Sequence, residues 1–311
     1  MNKSIVAAPS ILLAYVLLTA CGQAPDDAGK NTSQPTVADN SPLVVRTVNY
    51  PLQYFAQQIG GELVNATYPG PDNEDPAYWQ PSIETIVDYQ QADLIVLNGI
   101  GYASWLRQVS LPLRSQVDTS TAFSDQLLPV SNKVAHTHGP QGEHVHDDMA
   151  FTAWLDPELA RLQAVAIHAA LQARLPGETD ALAANLLTLS NSLQALNTQL
   201  AEAFSLRNGR PVIYSHPVYQ YLDRRYEVNG LSLHWEPDSM PPADEFAKLE
   251  AMSGALMIWE AEPLPKVAER LAEMNIDITV FATGSTPPAA GDYLQLMQAN
   301  ANQLADALSQ P

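Results

Sequence analysis

The chain has 311 residues, enough for two domains, and its 46% hydrophobic content favours a packed core over global disorder. Its 15 Lys and Arg residues stand against 34 Asp and Glu residues, which gives a formal net charge of −19. Because phosphate binding needs a basic face, this balance argues against nucleic acid as a partner. An acidic surface usually serves solubility, so the charge does not identify a ligand.

Residues 1–21 are typical of an export signal. The apolar run at 11–20 is too short for a membrane-spanning helix, and it leads into the sequence LTAC at 18–21. LTAC resembles the bacterial lipobox, in which the cysteine is lipidated and the chain is cut just before it. Cys21 is the single cysteine, which excludes an intrachain disulfide. We therefore expect lipid anchoring to the cell membrane through Cys21, facing the periplasm or the cell exterior; an ordinary cleaved signal is the alternative.

Two segments of different character follow the signal. Residues 22–42 are rich in Pro, Ser, Asn, Asp and Gly and predict a flexible tether. From residue 43, apolar runs typical of strands (LVVRTV, VNATYP, ADLIVLNG) alternate with helical patterns (LQYFAQQIG, IETIVDYQQ). This alternation indicates a parallel sheet covered on both faces, and we assign residues 43–175 to an N-terminal α/β lobe.

A histidine-rich segment at 136–148 holds four of the chain's seven histidines. They form two H-x-H pairs, His136 with His138 and His144 with His146. Gly and Pro between the pairs predict a loop rather than a helix or a strand. Neutral imidazoles at this spacing bind Zn²⁺, Cu²⁺ or Ni²⁺, more weakly than in a rigid site because the segment must be ordered on binding. A solvated polar loop is the alternative.

The middle of the chain is helical. Residues 156–175 predict a helix with Asp156 at its start and Pro157 just inside it. A run of about 28 residues follows, with apolar spacing near three and four and no internal Gly or Pro. It predicts one rigid helix about 40 Å long, with a hairpin kinked near Ser190 as the alternative. We assign residues 176–207 to this linking helix.

Strand and helix patterns resume in residues 208–311, which we assign to a C-terminal α/β lobe. Its predicted strands are PVIYS, GLSLHW, ALMIWE and IDITVF, and a terminal helix covers 291–309. The expected fold is therefore α/β, with two similar lobes of mainly parallel sheets joined by one long rigid helix. The interface between the lobes is a natural ligand cleft.

Three strands of this lobe deliver candidate metal ligands. PVIYS is followed by His216, LSL by His234, and ALMIW by Glu260. Ligands of α/β sheets bind beyond the carboxyl ends of the strands, and two imidazoles with one carboxylate form a good partial shell for Zn²⁺. Each residue also has a structural alternative: a neighbour of a helix cap for His216, a turn hydrogen bond for His234 and a solvated side chain for Glu260.

Catalytic motifs are incomplete or absent in the sequence. HVHDDM at 144–149 is close to the H-x-H-x-D-H zinc motif of metallo-β-lactamases, but Met149 stands in place of the final histidine. H-E-x-x-H, G-x-S-x-G and phosphate-binding glycine loops do not occur. We therefore predict a non-catalytic protein, with a zinc hydrolase as the weaker alternative.

The order and spacing of five segments resemble one family, the metal-specific substrate-binding lipoproteins of bacterial ABC importers, in the zinc-uptake branch. The segments are NYPLQYFAQQIGG, NGIGYASWL, AFTAWLDPELA, SHPVYQYLDRRY and MIWEAEPLPKVAERL. The resemblance spans the chain from residue 43 onward. It implies two α/β lobes joined by a long helix and a metal held between them. It also implies a monomer that hands this metal to an ABC permease with its cytoplasmic ATPase.

The resemblance transfers ligands only position by position. It implies His216 and Glu260 as ligands, whereas the two first-lobe histidines of the family correspond to Ala77 and Thr152. We therefore predict a site of His216, His234 and Glu260. One or more histidines of the 136–148 segment close it: His136, His138, His144 and His146.

The predicted ion is Zn²⁺, since the predicted set is mostly imidazole and Mn²⁺ or Mg²⁺ favour more oxygen donors. Cu²⁺ and Ni²⁺ are alternatives, and binding should weaken as the histidines become protonated at lower pH. Apart from delivery to an importer, the same fold could serve a zinc buffer, a chaperone or an adhesin. The missing first-lobe histidines also leave open a paralogue whose cleft binds something other than a metal.

Overall fold

The computed structural model describes residues 41–72, 74–130 and 149–310, together with the backbone of residues 136–137 and 143–144. The predicted export signal with Cys21, most of the tether, His138 and His146 lie outside these residues. Ser41–Pro311 forms one compact unit. Within the described ranges, no helix has both the length and the apolar content needed to cross a membrane.

The first lobe is built on a four-stranded parallel sheet. Its strands are β1 (Leu43–Thr47), β2 (Val64–Thr67), β3 (Leu94–Leu97) and β4 (Gln116–Asp118), in the order β2-β1-β3-β4. Helices α1 (Tyr50–Gly60) and α2 (Ile83–Gln91) follow β1 and β2. Val45 and Leu94 are paired in register and fully buried, as expected of strands covered on both faces. The prediction missed β4, because its sequence QVD is only half-buried and carries no apolar run.

The histidine-rich segment contains a short antiparallel hairpin, whereas Gly139, Pro140 and Gly142, on which the prediction of a loop rests, lie outside the described residues. Its backbone forms β5 (His136–Thr137) and β6 (Glu143–His144), which pair antiparallel with His136 opposite His144. An isolated antiparallel bridge joins Pro129 to Met149 at the base of this segment. Two-residue strands of polar residues carry no apolar alternation, which is the signal that sequence patterns provide for strands.

Two helices lie between the two sheets along the chain, and the second of them joins the lobes. Helix α3 (Pro157–Arg174) begins where the Asp156 side chain accepts a hydrogen bond from the Glu158 amide. Helix α4 (Thr179–Ser205) is continuous over 27 residues, about 40 Å, so the predicted long helix is confirmed and the kinked hairpin is excluded. Its buried leucine stripe packs α4 against α1, α3 and the C-terminal helix at 293–309.

The second lobe repeats the parallel architecture. Its strands are β7 (Val212–Tyr214), β8 (Leu231–Ser232), β9 (Leu256–Trp259) and β10 (Asp277–Val280), in the order β10-β9-β7-β8. Its helices are α5 (Gln220–Arg225), α6 (Ala243–Ala247), α7 (Pro265–Glu273) and α8 (Tyr293–Ser309). Two parallel α/β lobes with one long helix confirm the predicted fold class.

The first-lobe segment 150–156 is hydrogen-bonded to the second lobe. Tyr221 donates from its hydroxyl to the Ala150 carbonyl at 2.9 Å, and Tyr293 donates to the Trp154 carbonyl at 2.7 Å. The Trp154 indole donates in turn to the Thr283 carbonyl at 2.8 Å. These three hydrogen bonds hold segment 150–156 of the first lobe against the second lobe.

Candidate metal centre

An acidic cleft of about 250 Å³ lies between the two lobes. Its lining comprises Asp72, Glu74, Asp75, Phe151, Thr152, Trp154, His216, Val218, Glu236, Glu260, Thr283, Ser285 and Thr286. Five of these residues are carboxylates and one is a histidine, whereas none of these described lining residues is Lys or Arg. A cleft with this charge favours a cationic ligand.

Three adjacent strands of the second sheet supply the polar floor of the cleft. Glu260 follows β9 directly, and His216 lies two residues beyond the end of β7. The pairing of β7 with β8 continues past the strands, because the Trp235 amide donates to the Ser215 carbonyl at 2.7 Å. This extension brings Glu236 beside His216. The sequence-based expectation that strand ends gather polar side chains at one rim is thus confirmed for His216 and Glu260.

His216 is only 5% exposed and lies between two carboxylates. Its Nδ1 is 3.1 Å from Oε1 of Glu260, and its Nε2 is 3.4 Å from Oε1 of Glu236. Burial alone would lower the pKa of His216, but the hydrogen bond with Glu260 and the charges of Glu260, Glu236 and Asp75 raise it overall. The negative charge around the imidazole therefore stabilises its protonated form.

Two carboxylates near His216, Glu236 and Asp75, have raised pKa values. Loss of solvation is the main cause for Glu236, and the nearby charge of Glu260 adds to it. Asp75 still contacts solvent inside the cleft, but surrounding protein atoms remove enough solvation to raise its pKa to about 6. The Ala77 amide, which donates to Asp75 at 2.9 Å, opposes this increase. Concentrating negative charge in the cleft therefore costs free energy of folding, and a bound cation would offset this cost.

Ala77 and Thr152, the two first-lobe positions at which the resemblance places histidines, have structural roles. Ala77 is buried, and its amide holds the Asp75 carboxylate. Thr152 is also buried, and its hydroxyl donates to the Val218 carbonyl of the second lobe. The described first-lobe wall therefore offers carboxylates to the cleft, and no imidazole.

His234 lies next to the centre without lining it. Its ring centroid is 6.1 Å from that of His216, in an edge-to-face arrangement. The described lining of the cleft does not include it. Leu233 and Trp235, on either side of His234, are buried in the second lobe. Of the two polar side chains that alternate with them, His234 and Glu236, only Glu236 is among the described residues that line the cleft.

The histidine-rich hairpin begins close to the cleft. The Pro129–Met149 bridge closes its base, and Phe151 and Thr152, which line the cleft, follow Met149 within three residues. Only the backbone of His136 and His144 is described, and His138 and His146 lie outside the described residues. Ligation by these four histidines therefore remains a prediction.

Within the described part of the chain, no three His, Cys, Asp or Glu side chains are grouped so as to hold a metal ion as they stand. The two ring nitrogens of His216 instead face different carboxylates, Glu260 and Glu236. Sequence reasoning missed Glu236 and Asp75, although each lies two residues from a position that it considered. Glu236 follows His234, and Asp75 precedes Ala77.

Two parallel α/β lobes, one long helix and an interlobe cleft define a solute-binding protein. Residues 44–307 match the ZnuA family model, described as the periplasmic component A of a zinc-uptake complex. The chain belongs to this family, whose members are binding proteins and not enzymes.

Named relatives agree with this assignment. The chain is 26% identical to the high-affinity zinc uptake system protein ZnuA of Bacillus subtilis over 317 residues, covering 96% of each chain. It is 27% identical to the zinc-binding lipoprotein AdcA of Streptococcus pneumoniae over 216 residues, covering 67% of this chain and 42% of AdcA. The matched region thus spans about two fifths of the AdcA relatives.

Solved structures share the fold. The metal-dependent lipoprotein YcdH of Bacillus subtilis superimposes with a TM-score of 0.73 at 22% identity, covering 86% of this chain and 100% of YcdH. The Zn(II)-bound ZnuA-like domain of Streptococcus pneumoniae AdcA gives a TM-score of 0.70 at 19% identity, with 86% and 100% coverage. At these identities the likeness establishes the two-lobed architecture.

Proposed function

We propose that this protein binds Zn²⁺ in the interlobe cleft and delivers it to an ABC permease, with its cytoplasmic ATPase, for uptake. The observation that carries the proposal is a buried His216 held among carboxylates in a cleft with no described basic lining residue. Zn²⁺ accepts imidazole and carboxylate ligands together, and relatives of this chain are named for zinc binding. Cu²⁺ and Ni²⁺ are the alternative ions, since imidazole also suits them.

The proposed location is outside the cytoplasm. The family is described as periplasmic, and AdcA is named a lipoprotein. The LTAC sequence supports lipid anchoring through Cys21. In this arrangement the folded unit works as a membrane-tethered monomer beside the permease.

Metal content of the purified protein tests zinc binding directly. After exposure to zinc and removal of the excess ion, wild type should retain about one Zn²⁺ per chain. His216→Ala should lose this ion, because His216 is the histidine among the described residues that line the cleft. His168→Ala is the matched control, since His168 lies on α3 away from the cleft lining. Equal zinc content in wild type and His216→Ala would refute the proposal.

Delivery needs a separate measurement. Cells that lack their own zinc-binding protein, but keep the permease, should regain uptake of radioactive zinc when they produce wild type and not His216→Ala. A protein that binds zinc in vitro but restores no uptake would instead be a buffer, chaperone or adhesin.

We further propose that the histidine-rich segment donates to the cleft, supported by its base beside Phe151 and Thr152. Replacing residues 131–148 by a short Gly-Ser linker should lower the zinc affinity or stoichiometry measured by calorimetry. Unchanged values for both would exclude any contribution of His136, His138, His144 and His146.

A further inference from the structure

The two ring nitrogens of His216 face different carboxylates. Nδ1 lies 3.1 Å from Glu260, and Nε2 lies 3.4 Å from Glu236. These nitrogens leave the ring in nearly opposite directions, so an ion bound to one of them lies across the ring from the carboxylate that contacts the other. The two glutamates must therefore differ in their roles toward a metal bound by His216.

Glu260 has the geometry of an orienting partner. It accepts a hydrogen bond from Nδ1–H, and its position directly after β9 anchors it to the sheet. Metal-bound histidines commonly donate their second ring N–H to such a carboxylate, which fixes the ring and its tautomer. The remaining nitrogen, Nε2, then faces the side of the ring where Glu236 lies.

Glu236 has the geometry of a ligand. Two ligands of one tetrahedral Zn²⁺, each about 2.1 Å from the ion, lie about 3.4 Å apart. The separation of Nε2 and Glu236 Oε1 is also 3.4 Å. Neighbouring residues hold Glu236 in place: Trp235 packs on Phe246 with ring centroids 4.8 Å apart, and the Pro237 carbonyl accepts the Leu264 amide at 3.0 Å.

The rest of the described lining adds oxygen donors and no second imidazole. Asp72, Glu74 and Asp75 line the cleft from the first lobe. Carboxylate oxygens suit Mn²⁺ as well as Zn²⁺, whereas sets rich in imidazole favour Zn²⁺, Cu²⁺ or Ni²⁺. The described donors thus differ from the mostly imidazole set that the sequence predicted.

We infer that Glu236 is a metal ligand that shares the ion with Nε2 of His216, and that its oxygen lets the cleft accept Mn²⁺ as well as Zn²⁺. Glu260 is then a positioning residue. This inference rests on the proposed metal-binding function and assigns a ligand and a selectivity to the same cleft.

Exchanging the donor atom tests the inference. The metal-stripped full chain is titrated by calorimetry with ZnCl₂ and, separately, with MnCl₂. Glu236→His replaces an oxygen by a nitrogen and should weaken Mn²⁺ binding at least about tenfold, while Zn²⁺ affinity stays within about threefold. Glu260→Gln should weaken both ions by a similar factor, about 10- to 100-fold, as removal of an orienting partner does.

Asp238→His is the matched control, because Asp238 is exposed two residues beyond Glu236 and does not line the cleft. It should leave both affinities unchanged, and thermal melting should show that every variant is folded. A Glu236→His protein with the wild-type ratio of Mn²⁺ to Zn²⁺ affinity would overturn the inference, as would a wild type that binds Zn²⁺ but no Mn²⁺. Either of these two results is compatible with the proposed function, provided that zinc binding still depends on His216. A wild-type protein that binds neither Zn²⁺ nor Mn²⁺ would instead refute the proposed metal-binding function.

Discussion

The two walls of the cleft are built in different ways. The second-lobe wall takes His216, Glu236 and Glu260 from the ends of three neighbouring parallel strands, where the sheet fixes their spacing. The described first-lobe wall takes its carboxylates from the segment after β2, which belongs to no strand or helix. If the cleft binds an ion as proposed, the rigid second-lobe wall would fix its position, and the first-lobe wall would contribute negative charge.

The first-lobe wall also depends on the second lobe for its position. Asp156 is fully buried and accepts a hydrogen bond from Arg225 of α5 at 2.7 Å, while it caps α3. Together with the Tyr221 and Tyr293 hydrogen bonds, this contact holds segment 150–156 against the second lobe. Substitutions at Asp156 and Thr152 separate this structural attachment from metal binding.

Asp156→Ala should have the largest effect on folding. It removes a helix cap and leaves the Arg225 guanidinium without its buried carboxylate, and we expect a loss of about 3 kcal/mol in the free energy of unfolding. Urea denaturation of the metal-free protein measures it. Asp277→Ala, in the exposed ion pair with Arg210, is the control and should cost at most about 1 kcal/mol. Similar losses in the two variants would contradict a special role for the interlobe attachment.

Thr152→Val should have a smaller effect. The substitution removes the hydroxyl that donates to the Val218 carbonyl and leaves that acceptor unpaired, at a cost of about 1 to 2 kcal/mol. Zinc affinity should stay within about twofold, because the hydroxyl is already engaged in this contact. An affinity loss of tenfold or more would show instead that Thr152 is a ligand.

The smallest expected effect is the contribution of Asp75 to the pH dependence of stability. Its pKa rises on folding from an ordinary 3.8 to about 6, so the folded state binds more protons than the unfolded state between these values. This contribution to the stability of the metal-free protein is present below pH 3.8 and is lost as the pH rises past about 6. Melting temperatures between pH 4 and 7 should therefore fall more steeply for wild type than for Asp75→Asn. Parallel curves for the two proteins would rule out the shift.

The sequence predicted most of the fold, for physical reasons that particular elements illustrate. Strands β3 and β9 are continuous apolar runs because both faces of a parallel sheet are covered. Helix α4 follows from its leucine spacing and the absence of internal Gly and Pro. Strand β4 and the short hairpin strands carry no such pattern, since their pairing depends on neighbours distant in the chain.

The candidate site was predicted in part. His216 and Glu260 follow strongly apolar strands, so their position at one rim could be inferred before the structure. Glu236 could not be chosen over His234, because the choice depends on how β8 continues beside Ser215 and on the burial of Trp235. Asp75 was overlooked because its role depends on the fold of the segment after β2, which has no periodic pattern.

The most direct test of metal binding compares one donor from each wall of the cleft. Zinc affinities of the full chain should be measured by competition with a chelator for wild type, His216→Ala and Asp75→Asn. We predict a loss of at least about 100-fold for His216→Ala and of about tenfold or less for Asp75→Asn, since the proposed role of the imidazole is that of a ligand and the proposed role of the aspartate is mainly that of a charge. A larger loss for Asp75→Asn than for His216→Ala would contradict the claim that the second lobe holds the ion.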